Sequence, residues 1–214
     1  MPKLRHALGQ FRKSVQRQRV SYPYRSWNLE LRTVFIHIPK CGGTSVLESL
    51  GVPTRPRVHA DWNQYYSSDP ELYRSCFRFS FVRHPLRRLE SAYAYVCAGS
   101  NGSDFGVKLA AQLKRIGPSY SAFLDRFDAD LAFQYPQFRP QWTYVLDQFD
   151  ELQVDLVGRT ESFEESIDQL SRHMNRPISA VHANQSSDKQ TVASYPRHVI
   201  EIYRKDFEVF GYRV

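Results

Sequence analysis

The stretch that most constrains this 214-residue chain reads Thr33-Val34-Phe35-Ile36-His37-Ile38-Pro39-Lys40-Cys41-Gly42-Gly43-Thr44-Ser45. Its β-branched and aromatic start predicts a buried strand over 33–38. Pro39 and the Gly42-Gly43 pair break the strand, and residues 44–50 read as a helix stopped by Gly51 and Pro53. Strand, glycine turn and helix start, in that order, make an anion cradle. The glycines let backbone approach an anion closely, and the first free amides of the helix point at it. Thr44 and Ser45 add hydroxyls, and Lys40 adds a point charge on a flexible stem. The loop differs from the nucleotide-triphosphate loop G-x-x-x-x-G-K-[ST], in which the lysine follows the last glycine. Here Lys40 precedes both glycines, so the shorter loop suits fewer phosphate groups.

A second strand is expected over 77–82 and a third over 154–158, with helices from Pro85, over 161–173 and from Pro196 to about Phe207. Residues 52–74 read as loop and short helix. Residues 99–106 and 182–195 read as polar loops, and 107–150 as mostly helical with breaks at Gly117-Pro118 and near Pro136 and Pro140. Strands alternating with helices argue for an α/β fold, a central parallel sheet flanked by helices.

The second strand leads into Phe81-Val82-Arg83-His84-Pro85-Leu86-Arg87-Arg88-Leu89-Glu90-Ser91-Ala92-Tyr93. Arg83 stands just past a strand's C-terminal end, where open α/β sheets bind ligands. Ser91 follows about two helical turns into the next helix. A guanidinium fork and a hydroxyl at those positions suit a second phosphate.

Together the two segments resemble the sulfotransferase superfamily, and within it the carbohydrate sulfotransferases related to heparan sulfate 2-O-sulfotransferase. The resemblance implies a P-loop-like sulfotransferase fold using 3′-phosphoadenosine 5′-phosphosulfate (PAPS) as co-substrate. Lys40, Cys41, Gly42, Gly43, Thr44 and Ser45 would then hold the 5′-phosphosulfate, and Arg83 and Ser91 the 3′-phosphate. Pro85, Arg88 and Tyr93 also match the second motif, and His84 stands where the family has Asn or Asp. Asp155-Leu156-Val157-Gly158-Arg159-Thr160-Glu161 is similar to a strand-to-helix turn of the family, and residues 206–212 to its D-F-x-x-(F/L)-G-Y ending. Lys189 and Thr191 resemble its late cofactor-covering loop. The likeness spans residues 33 to 214 and is loose over 100–150.

Sulfuryl transfer needs positioning, charge stabilisation and a base for the acceptor proton. Lys40 is expected to stabilise the leaving phosphate. His59, in Arg57-Val58-His59-Ala60-Asp61-Trp62, is the expected base, because an imidazole titrates near neutrality and the family places a catalytic histidine in this interval. His37 reads as a packed strand residue, His84 as a motif substitution and His182 as a second candidate base. Lys40 and the helix start would lower the pKa of Cys41, although no Cys-His-Asn arrangement accompanies it. No His/Cys cluster has zinc-like spacing, so no metal is expected. Arg55, Arg57, Arg74, Arg87, Arg88, Arg139 and Arg159 are candidates for an acidic acceptor. Trp62, Tyr65, Tyr66 and Trp142 are candidates to stack on sugar rings, and Arg139 and Gln141 to line the acceptor side.

The net charge of +7 is concentrated in residues 1–25, which hold seven basic residues and no acidic one. The rest is formally neutral. Residues 1–25 therefore read as a basic arm, in which Leu4, Leu8, Phe11 and Val15 form a thin helical stripe suited to an anionic membrane surface or to solvent. Such an arm also has the composition of a mitochondrial presequence. Residues 26–214 read as one catalytic domain. Three cysteines give no disulfide framework, and no apolar run approaches the roughly 18 residues of a membrane span. A cytoplasmic enzyme is the expectation, with PAPS and a hydroxyl-bearing acceptor, a glycan, as partners. No nucleic-acid recognition motif is present. A nucleotide kinase or a non-catalytic nucleotide or glycan binder remains the alternative.

Overall fold

A computed structural model describes residues 20–102, 104–117, 119–183 and 192–214. In chain order its elements are α1 (Ser26–Leu31), β1 (Thr33–Ile36), α2 (Gly43–Ser49), α3 (Trp62–Ser68), α4 (Pro70–Ser75), β2 (Phe77–Val82) and α5 (Pro85–Cys97). A short 3-10 turn (Ser100–Gly102) precedes α6 (Asp104–Ile116), α7 (Tyr120–Arg126), α8 (Ala129–Gln134) and α9 (Trp142–Val145). The last elements are β3 (Leu156–Arg159), α10 (Phe163–His173), α11 (Arg197–Ile202) and α12 (Arg204–Phe210).

The three strands form one parallel sheet in the order β1-β2-β3, pairing Thr33 with Phe77 and Phe79 with Leu156 at the two ladder starts. The α/β expectation holds. Side chains alternate across the sheet. Val34, Ile36 and Val82 face a cluster with Ile38, Tyr65 and Tyr73. Phe35, Phe79 and Phe81 face the opposite cluster, against Val46, Leu47, Phe163 and Ile167. A third cluster, built on Leu89, Phe123, Phe127, Phe138 and Tyr203, joins α5 to the helices after it.

Several boundaries differ from the sequence reading. β1 ends at Ile36 because the Ile38 amide turns back to the Ile36 carbonyl (3.2 Å). β3 starts at Leu156 because Asp155 pairs with Arg78 through backbone and carboxylate. Residues 52–74 contain two helices rather than one, with Asp61 and Asp69 accepting from the first-turn amides of α3 and α4. α6 begins inside the expected polar loop at 99–106. The single final helix is two, broken at Tyr203, whose hydroxyl donates to the Phe138 carbonyl. α1 was not anticipated.

The expected arm boundary at 25 falls inside packed structure. Tyr24 is buried and donates its hydroxyl to the carbonyls of Tyr65 and Asp69. The rest of the basic arm, residues 1–19, lies outside the described residues. Among the described residues no helix is long and apolar enough to cross a membrane.

Candidate active site

The site forms where β1 and β2 end side by side. Past β1 the chain turns sharply, with Lys40 and Gly42 both in the left-handed region (φ 69° each). Gly42 takes that conformation without strain, whereas Lys40 does so against its Cβ. α2 begins at Gly43, and its first internal bond runs from the Val46 amide to the Gly42 carbonyl (3.1 Å). The amides of Gly43, Thr44 and Ser45 therefore have no helical acceptor.

The underside of this loop is fixed by buried groups. The Arg88 guanidinium is fully buried and donates Nε–H to the Pro39 carbonyl (2.9 Å) and Nη2 to the Pro136 carbonyl (3.3 Å). Its Nη1 has no partner among the described residues. Arg88, expected as a candidate for an acidic acceptor, is therefore a support of the loop. The His37 ring lies against Gly43, where a Cβ would stand 1.9 Å from Nε2. Any side chain at position 43 collides with that ring.

Lys40 places Nζ 4.1 Å from the centre of the Tyr95 ring, a cation–π contact that the sequence reading missed. Burial, helped by the nearby charges of Arg83 and Arg57, lowers its pKa to about 8. The Arg83 amide and the thiol of Cys41, the residue after Lys40, share one acceptor, Gln141 Oε1. The Arg83 guanidinium and the Ser91 hydroxyl on α5 make no hydrogen bond or ion pair among the described residues. Thr44 Oγ1 accepts from Arg57 (3.3 Å), and Ser45 Oγ accepts from the Ala183 amide (3.1 Å). Lys189 and Thr191 lie outside the described residues. Of the residues flanking that stretch, Ala183 rests on Ser45 and Tyr195 donates to Glu90, the neighbour of Ser91.

His59 reaches the same turn from residues 53–60. Its Nδ1 lies 2.9 Å from the His37 carbonyl oxygen, and the two rings stand 4.4 Å apart. A carbonyl can only accept, so Nδ1 carries the proton and Nε2 keeps its lone pair. Burial lowers the His59 pKa, opposed by the bond to His37 and reinforced by Arg57, Arg88 and Lys40. Burial holds His37 further below the usual histidine range. The geometry thus gives a neutral imidazole with Nε2 free, beside a cluster of cations.

Other expectations are redirected. Cys41 is not activated: it is buried, donates its thiol to Gln141 Oε1 (3.1 Å), and burial pushes it up to about 12. Removal from solvent outweighs the loop's cations, so the loop can offer a ligand only the backbone at this position. Gln141 does not line an acceptor side but is fully buried between the two loops. Arg139 pairs with Asp61 (3.6 Å) and covers Tyr144. Arg159 binds the Phe210 carbonyl and stacks on Tyr212, Arg87 pairs with Glu90, and Arg74 lies on Tyr66. Tyr65 is a core residue, Trp62 donates to the Leu146 carbonyl and Trp142 lies under Lys205. His182 is exposed and pairs with Glu164.

The two matching segments downstream have structural work. Glu161 accepts from the His84 amide at the start of α5 (2.7 Å) and from the Tyr212 hydroxyl (2.9 Å). His84 donates Nε2–H to the Arg213 carbonyl (2.9 Å) and packs on Phe207 and Tyr212. Asp155, the acidic residue nearest a strand in β3, is held by Arg78 at the strand's start, far from where a kinase would place a magnesium ligand. Among the described residues no cluster of His, Cys, Asp and Glu could hold a metal.

A family model described as the sulfotransferase family matches residues 30–213, nearly the whole described chain, and the protein belongs to that family. No curated protein and no solved structure matches it. The family assignment makes it a transferase of sulfuryl groups.

Proposed function

We propose that the chain transfers a sulfuryl group from PAPS to an acceptor hydroxyl, on a carbohydrate, with His59 as the base. The observation that carries this reading is the set of loop amides without a helical acceptor beside the C-terminal ends of β1 and β2, with Arg83 just past β2. The amides of Gly43, Thr44 and Ser45, the Lys40 ammonium, the Arg83 guanidinium and the Ser91 hydroxyl fit a ligand bearing anions at two ends. PAPS supplies an activated sulfuryl group, with a 5′-phosphosulfate and a 3′-phosphate as those anions.

Each residue has a defined task in the reading. The loop amides and Lys40 receive charge on the phosphate oxygen as the bond from sulfur to that oxygen breaks. Arg83 and Ser91 hold the 3′-phosphate and so fix the donor's direction. His59 Nε2 takes the acceptor's proton while the acceptor oxygen bonds to sulfur. Its Nδ1–H bond to the His37 carbonyl orients the ring and stabilises the imidazolium that forms. The products are adenosine 3′,5′-bisphosphate and a sulfated acceptor. Arg55 and Arg57 are exposed and lack an acidic partner among the described residues, which suits an acceptor that carries negative charge.

The test is incubation of the purified chain with PAPS and a panel of uronate-bearing and neutral glycans, followed by nucleotide release and mass analysis of the glycan. Release of adenosine 3′,5′-bisphosphate with a sulfated glycan is expected. Failure to bind PAPS sinks the reading. Lys40→Ala and Arg83→Ala should each raise the PAPS concentration needed by about 10–100-fold, the weight of one charge-assisted hydrogen bond.

A further inference from the structure

Gln141 has no role in the chemistry above, yet it sits at the centre of the site's framework. Its side chain is fully buried, and both ends of its carboxamide are used. Oε1 accepts from the Arg83 amide (2.9 Å) and from the Cys41 thiol (3.1 Å). Nε2 donates to the Arg83 carbonyl (2.8 Å) and to Asp206 Oδ2 (3.3 Å). The two Arg83 bonds fix which end is which, because reversing the amide would set donor against donor.

The pairing with Arg83 has a topological meaning. β2 ends at Val82, and Arg83 is the first residue beyond the ladder. Gln141 bonds both N–H and C=O of Arg83, as a residue on a neighbouring strand would. The same carboxamide holds Cys41, the residue after Lys40. One side chain thus links the Cys41 thiol, on the residue after Lys40, to the backbone that carries Arg83. Gln141 is itself anchored. The buried Asp206 carboxylate accepts from the backbone amides of Gln141 (2.9 Å) and Trp142 (2.8 Å), so the start of α9 is fixed by the C-terminal helix pair.

That linkage matters because Lys40 and Arg83 are two cations that repel each other and share no acidic partner among the described residues. Without a ligand, nothing in their own charges keeps them at a set spacing. We propose that Gln141 is the positioning residue that fixes the spacing between the two anion-binding segments, and thereby the preference for a nucleotide with phosphate at both its 5′ and 3′ sides. The inference rests on the PAPS reading. A site with two anchored ends gains from a ligand that meets both at once, and that gain depends on the spacing.

The experiment measures, by calorimetry, the affinity of the full chain for adenosine 3′,5′-bisphosphate and for adenosine 5′-monophosphate. Gln141→Met keeps the volume, removes the four side-chain bonds and leaves Asp206 its two backbone donors. The ratio of the two affinities is expected to fall by about tenfold or more in this variant, with monophosphate binding less affected. Gln141→Asn keeps the carboxamide but withdraws it by one methylene, and should lower the same ratio; it carries the test if Gln141→Met does not fold. An unchanged ratio in the folded variant overturns the proposal. Equal weakening of both nucleotides, tracking a loss of thermal stability, also overturns it by making Gln141 merely structural. A wild-type chain that binds neither nucleotide instead overturns the PAPS reading itself.

Discussion

The loop around Lys40 and the segment at 53–60 meet at one site but are attached to the protein in different ways. Beneath the loop lie Arg88, Cys41, Gln141 and the His37 ring, all buried and bonded or packed against it. Residues 53–60 make two hydrogen bonds to the rest of the described chain, His59 to the His37 carbonyl and Arg57 to Thr44. The donor side is therefore shaped by the core, and the proposed base is set by a single bond. Changes on the two sides should separate kinetically, one acting on donor affinity and the other on the rate of transfer.

The largest effect is expected where only the rate is at stake. His59→Ala should lower kcat by about 10²–10⁴-fold, the usual contribution of a positioned base. Affinity for adenosine 3′,5′-bisphosphate should stay near wild type, because the loop's supports are untouched. Unchanged turnover in this variant would remove His59 as the base. A parallel loss of nucleotide affinity would mean the two sides are not separate.

The two sides also titrate in opposite senses. His59 acts deprotonated, and burial lowers its pKa below the ordinary 6.5. Activity should therefore persist below that value and fall only as pH drops through the lowered pKa. Lys40 acts protonated, with a pKa held to about 8, so activity should fall as pH rises through that value. The free-enzyme profile of kcat/KM is predicted to be a bell with these two limbs. Lys40→Arg should move the alkaline limb upward and leave the acid limb in place. An alkaline limb that ignores this substitution contradicts the role of Lys40.

The one residue that joins the two sides is His37. Its ring packs on Gly43, and its carbonyl holds His59. Gly43→Ala inserts a methyl where the imidazole stands, and overpacking of this kind costs about 1–3 kcal/mol. Thermal unfolding should register that loss, and the displaced His37 should lower both donor affinity and kcat. A variant that loses stability but keeps both kinetic constants would show that His37 is not the joint between them.

What the sequence disclosed about this arrangement was the local part. The order of strand, glycines and helix start at 33–50 is carried by neighbours in the chain, and so is the step from β2 to Arg83 and Ser91. The supports are not local. Gln141 is separated in sequence by 100 residues from Cys41 and by 58 from Arg83, and nothing in Phe138-Arg139-Pro140-Gln141 reveals those partners. Its placement at the acceptor side failed for that reason. The break at Tyr203 is equally tertiary, since α11 and α12 carry apolar residues at continuous helical spacing. The contact between Lys40 and Tyr95 depends on how α5 lies across the loop, which periodicity does not encode.

Cys41 gives the smallest effect and the most direct view of the loop's underside. Read locally, a thiol beside Lys40 at a helix start is an activated one. In the fold it is buried, donates to Gln141 and has its pKa pushed up to about 12. Native protein treated with iodoacetamide at neutral pH should therefore leave Cys41 unlabelled. Cys97, which is only half-buried, should label first and without loss of nucleotide binding. Labelling of Cys41 should proceed only at the rate of unfolding, since the thiolate is the reacting form and the site admits no reagent. Rapid labelling that bound nucleotide blocks would place the thiol on the ligand's side of the loop. The donor side would then no longer be distinguished by a closed, core-held underside.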